Sequence, residues 1–106
     1  MTPVTLFFGD GDHDFALNLA EIKELQIQCN ATIGTICNRV FVKHFSQSDI
    51  AETIRLALIG AGEHPKRAAD LVALYVTGRP FTETYPIANT ILETVWFGEP
   101  HEKASK

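Results

Sequence analysis

The densest group of potential ligands in this 106-residue chain is Asp10-Gly11-Asp12-His13-Asp14. Alternating carboxylates are how a calcium loop presents its oxygens. Asp10, Asp12 and Asp14 fall at positions one, three and five of such a loop, and Glu21 falls at position twelve. The sixth position needs glycine for a sharp turn, and here it is Phe15. The residues before Asp10 are strand-like rather than helical. The cluster is therefore expected to be an acidic hairpin turn, kept soluble by its charge, and no metal is expected there.

Other chemistries fare no better. Cys29, Cys37, His44 and His64 are spaced unlike any closed zinc set. Both cysteines sit in helical patterns and are expected to be reduced, buried thiols. There is no Gly-x-Ser-x-Gly elbow, and Ser46 and Ser48 look like loop and cap residues. Gly60-Ala61-Gly62 lacks the Gly-Lys-Ser/Thr of a phosphate loop and is a helix terminator instead. These absences lead to the expectation of a protein that is not an enzyme and needs no cofactor.

One basic pair has the placement for reading DNA. Lys66 and Arg67 open the second of two helical patterns joined by a short glycine turn, as a helix-turn-helix would require. They are the only adjacent cations in the chain, Asp70 follows, and the net charge is −4. That balance disfavours nucleic acid, whose affinity comes from clustered Lys and Arg. No apolar run reaches the length of a membrane span. The first residues lack the order of a secretion signal, so a cytoplasmic protein is expected.

The elements that would hold these residues follow from periodicity. Hydrophobic residues are 45% of the chain, enough for one core. Residues 4–17 read as a β-hairpin, with Asp-Gly as its turn signal and Phe15 and Leu17 in period-two alternation. Asn18 and Glu21 predict a capping pair for a first helix whose inward stripe is Ile22, Leu25 and Cys29, ending at Asn30. Thr32 caps a second, short helix with Ile33, Ile36, Cys37, Val40 and Phe41 inward. Val42 and Phe45 then tuck in from a loop. Ser48 is the expected cap of a third helix, with Asp49 and Glu52 placed for its dipole and Ile50, Ile54, Ala57, Leu58 and Ala61 as its stripe.

Leu56 and Ile59 lie on the other side of that third helix, which makes it central in the fold or leaves a face for a partner. Pro65 starts a fourth helix, with Ala68, Leu71, Val72, Tyr75 and Val76 inward. Pro86 is expected in the first turn of a fifth helix capped by Thr84, with Ile87, Ile91, Leu92, Val95 and Trp96 inward. The fold class expected is α+β: an N-terminal β-hairpin packed on about five helices, one globular domain over residues 1–98. Residues 99–106 are expected to be a disordered tail.

Two segments carry a resemblance to a known family. One is residues 14–25, DFALNLAEIKEL; the other is residues 54–62, IRLALIGAG, followed by the Pro65 restart. Arg79-Pro80 and the helix led by Pro86 continue it. In order and spacing the chain resembles the tail assembly chaperones of gene transfer agents and tailed phages over residues 4–98. Ala57 and Ala61 stand where that family often has glycine. The resemblance implies a cytoplasmic assembly factor whose partners are phage-like tail proteins, the tape measure protein and the tail tube subunit. Members have also been described as tail tube or minor tail components.

Ile27, Leu56, Ile59 and Phe97 do not fit the inward stripes and are the candidate partner-binding residues. If Leu56 and Ile59 join with Phe97 in one patch, they would suit a helix-in-groove contact with an amphipathic segment. The alternative from another class is a small prophage-encoded DNA-binding regulator. Salt-dependent DNA retention would favour the regulator; co-purification with a long helical partner would favour the assembly factor.

Overall fold

The computed structural model describes residues 1–98; the expected tail, residues 99–106, lies outside the described residues. Strands β1 (Val4–Phe8) and β2 (Gly11–Phe15) form an antiparallel hairpin. Helices α1 (Leu19–Cys29), α2 (Ile33–Phe41), α3 (Gln47–Gly60), α4 (Pro65–Tyr75) and α5 (Phe81–Phe97) follow. The architecture is the α+β arrangement that the alternation pattern implies.

The hairpin register pairs Val4 with Phe15, Leu6 with His13 and Phe8 with Gly11. The two-residue loop is Gly9-Asp10, one step before the Asp-Gly signal, and Gly11 is the first residue of β2. Gly9 has φ +64, and a Cβ there would meet the Tyr75 ring at 2.3 Å. Glycine at the first loop position thus serves both the turn geometry and the close approach of α4. The register turns Phe8 and Phe15 inward and Asp12 and Asp14 outward. A slip by one residue would bury the carboxylates, which is why the pattern tolerates only this pairing. Phe8 makes edge-on contacts with His13, Phe15 and Tyr75 at 5.8–6.0 Å, fixing the hairpin to α4.

α3 is the centre of the core. Ile50, Ile54, Ala57 and Leu58 are buried as their spacing predicts, but so are Ala51, Thr53 and Leu56 on its other sides. It packs against α1, α2, α4, α5 and β2. Its cap is Ser46 rather than Ser48: the Ser46 hydroxyl accepts from the Asp49 N–H at 3.1 Å and the Asp49 carboxylate accepts from the Ser46 N–H at 3.0 Å. Ser46 wins because the acid three residues into the helix completes this reciprocal pair, which Ser48 would lack.

Residues 16–18 leave β2 and cross the C-terminal end of α3. Ala16 and Leu17 are buried there. The Ala16 N–H donates to the Ala57 carbonyl at 2.9 Å, and the Asn18 side-chain amide donates to the Gly60 carbonyl at 3.2 Å. A Cβ on Gly60 would lie 1.9 Å from the Ala16 carbonyl oxygen. The Ala57 carbonyl is shared with the Ala61 N–H, the Gly60 carbonyl is one the helix end leaves over, and the Ala16 N–H would otherwise be buried unpaired. Asn18 then caps α1, its N–H donating to the Glu21 carboxylate at 3.1 Å.

α1, α2 and α4 run as their stripes predict. Asn30 ends α1 at φ 51, Thr32 caps α2 by accepting from the Thr35 N–H, and Pro65 opens α4. α5 differs. It begins at Phe81, so Pro86 lies inside the helix rather than in its first turn. Aromatic contacts hold the early turns. Phe45 packs edge-on against Phe81 at 5.5 Å and stacks with Tyr85 at 5.4 Å, and the Tyr85 hydroxyl donates to the Val40 carbonyl at 2.8 Å. These outweigh the one backbone hydrogen bond that proline removes. Val42 stays exposed while Phe45 is half-buried.

Candidate protein-binding surface

The candidate partner residues separate in the structure. Leu56 is only 4% exposed and belongs to the core, so it is withdrawn from the partner surface. The reason is the central position of α3, which buries its second face as well as its first. Ile59 is half-buried and packs on the same core. Ile27, 71% exposed on α1, and Phe97, 74% exposed at the end of α5, remain open to solvent.

Phe97 lies in an aromatic cluster. Trp96, expected inward, is 57% exposed. It follows Leu92 by four residues and so falls on the stripe, but periodicity does not report where the covering elements end. Phe41, at the end of α2, meets Trp96 edge-on at 6.4 Å and stacks with Phe97 at 6.3 Å. Val42, next in the chain, is also exposed. Phe41, Val42, Trp96 and Phe97 therefore form a patch from two helix ends, with rings that hold each other and leave area for a partner. Exposed aromatics of this kind are the usual anchors of protein interfaces. Trp96 and Phe41 were assigned inward by spacing, so the sequence signal lay only in the aromatic density of their two segments.

The α2 end that carries Phe41 is tied to α3 by an ion pair. Arg39, on α2, donates to the Asp49 carboxylate at 2.7 Å, and that carboxylate is fully buried. Asp49 joins α2 to the start of α3 and fixes the intervening loop that carries Val42 and Phe45. The expected role of Asp49 at the helix dipole holds only in part, because the carboxylate is committed to Arg39 and the Ser46 cap. Lys43 lies 5.7 Å from the centre of the Tyr85 ring, a cation over an aromatic face on the same flank.

The other candidate chemistries end in internal contacts. Asp10 accepts from His13 at 2.8 Å and from Arg67 at 3.2 Å, and the His13 contact first, then the nearby cations, lower its carboxyl below the ordinary range. Asp14 accepts from the Thr5 hydroxyl, and Glu21 is taken by the α1 cap. Among the described residues, no group of His, Cys, Asp and Glu is arranged to hold a metal ion. Lys66 pairs with Asp70 at 3.0 Å and Arg67 with Asp10, so both cations of the would-be recognition helix already face carboxylates. The DNA-binding alternative finds no support. Cys37 is buried, and that burial pushes its thiol up to about 11; burial and then Asp49 push Cys29 to about 12. Neither has the lowered pKa of a nucleophile. No described helix is long and apolar enough to cross a membrane.

Comparison with known proteins agrees with the tail resemblance. Residues 2–98 match the family described as "Phage tail tube protein, GTA-gp10". No curated protein and no solved structure gives a significant match. The match spans the hairpin and all five helices, and the chain therefore belongs to this family of phage and gene-transfer-agent tail proteins.

Proposed function

We propose that the chain is a tail assembly chaperone. It is non-enzymatic, acts in the bacterial cytoplasm, and holds other tail proteins, the tape measure protein first, in a soluble state during assembly. Family membership gives it a role in a phage-like tail alongside other tail proteins. The observation that supports the finer reading is the open aromatic patch of Phe41, Trp96 and Phe97 on an acidic chain. Long helical proteins expose amphipathic segments before assembly. An aromatic surface covers their apolar face, and a negative net charge keeps the complex in solution.

The test is co-expression of the tape measure protein with wild type and with the Trp96→Glu/Phe97→Glu variant. Both positions are exposed, so the variant is expected to fold, and circular dichroism checks this. Wild type should keep the partner in the soluble fraction and co-purify with it; the variant should lose most of it. A folded variant that retains the partner as well as wild type rules out this patch. Failure of wild type to retain it rules out the chaperone reading.

A further inference from the structure

We infer that β1 is a self-pairing edge, through which two copies of this chain join their hairpins into one four-stranded antiparallel sheet. In a hairpin closed by two residues, the pair flanking the loop exchanges both main-chain hydrogen bonds, and such pairs then alternate along the ladder. Phe8–Gly11, Leu6–His13 and Val4–Phe15 are those pairs here. The N–H and C=O groups of Thr5 and Phe7 therefore point away from β2. No backbone hydrogen bond joins Thr5 or Phe7 to another part of the described residues outside the hairpin. Both side chains are exposed, Phe7 at 69%.

The two edges are not equivalent. β2 lies against α3, and its His13 and Asp14 line a recess closed by Leu58, Ala61, Gly62 and Glu63. Beside β1, which touches α5, there is instead a groove of about 540 Å³ with Phe7, Phe8 and Gly9 on one wall, residues of α4 and α5 on the other, and no residue of β2. Edges are normally protected by charge, proline or a bulge. β1 is Val-Thr-Leu-Phe-Phe, with none of these within it.

Charge selects the occupant. Pairing β2 with a second β2 would set Asp12 opposite Asp14, carboxylate against carboxylate. Pairing β1 with a second β1 sets no strand side-chain charge against another, and the two charges on the far wall of the groove, Arg79 and Glu83, already pair with each other. The register follows from the outward groups. With Thr5 opposite the second copy's Phe7, and Phe7 opposite its Thr5, four main-chain hydrogen bonds form about a twofold axis through Leu6. The two Phe7–Thr5 pairs are aromatic against β-branched, a favourable cross-strand combination.

The full chain is measured by sedimentation equilibrium, without any partner. Wild type is expected to be a reversible dimer at micromolar to millimolar concentrations. Phe7→Lys, at an exposed site, should raise the dimer dissociation constant about tenfold or more with an unchanged circular dichroism spectrum. Because the twofold sets residue 6 against itself, Leu6→Cys should form a disulfide-linked dimer under mild oxidation, and wild type, with Cys29 and Cys37 intact, should not. A wild type that stays monomeric overturns the inference. So does a dimer that Phe7→Lys leaves unchanged, or a folded Leu6→Cys that fails to cross-link while wild type dimerises.

Discussion

Single residues carry more of this structure than their exposed neighbours suggest. Asp49 is the clearest case: a fully buried carboxylate held by Arg39 and by the Ser46 cap. Asp49→Ala removes the carboxylate half of the reciprocal cap and strands the guanidinium, so a loss of about 2–4 kcal/mol is expected from urea unfolding, below the full cost of breaking a buried pair because Arg39 reaches water. A loss under about 0.5 kcal/mol would show that the pair merely accompanies the cap. The thiols give a second expectation. Their ordinary value is 9.0, and burial raises Cys37 to about 11 and Cys29 to about 12. Little thiolate is present near pH 8, so alkylation of the native protein should be far slower than of the unfolded chain. The sign for stability follows. Below pH 9 both states hold the protons; from pH 9 towards 11 the unfolded chain releases them first, and the fold weakens. Asp49 was visible in the sequence only as an acid near a helix start. Its pairing with a residue ten positions earlier depends on how α2 and α3 cross, which no local pattern states.

At the scale of elements, the central helix is the test of the packing. Leu58 is 1% exposed, and Leu58→Ala should cost about 2–5 kcal/mol. Gly60→Ala should cost about 1–3 kcal/mol or more, because its methyl would displace the Ala16 carbonyl. A neutral result at either position in thermal or denaturant melts would mean that α3 and the connector are packed less tightly than described. Most of the elements were legible because stripes at helical spacing, Asn30, Thr32, Pro65 and the glycine stops are local signals. The start of α3 was misplaced between two serines, although Asp49 three residues into the helix was the discriminating sign for Ser46. The start of α5 was misplaced because the rule against internal proline was applied without the Phe45, Phe81 and Tyr85 contacts that override it. Of the four candidate partner residues, Phe97 and Ile27 are the ones that stay exposed. Leu56 and Trp96 exchanged places with respect to the core, since burial on a second face and overhang past a neighbour are tertiary facts.

For the molecule as a whole, nine of the aromatics fall into three groups. Phe8, Phe15 and Tyr75 pin the hairpin to the body, Phe45, Phe81 and Tyr85 hold the first turns of α5, and Phe41, Trp96 and Phe97 lie at the far ends of α2 and α5, where Trp96 and Phe97 are exposed. The connector that leaves β2 unites hairpin and body. Its amide at Ala16 belongs to neither strand nor helix, yet it ends on a core carbonyl of α3 and is shut off from water. In deuterium-exchange experiments that amide should be replaced as slowly as those in the middle of α3, with the neighbouring loop amides of Gly9 and Asp10 exchanging early. The hairpin then cannot lift away while the helix stays intact: both would open in one cooperative event, and the hairpin and its connector would share the lifetime of the most durable part of the fold.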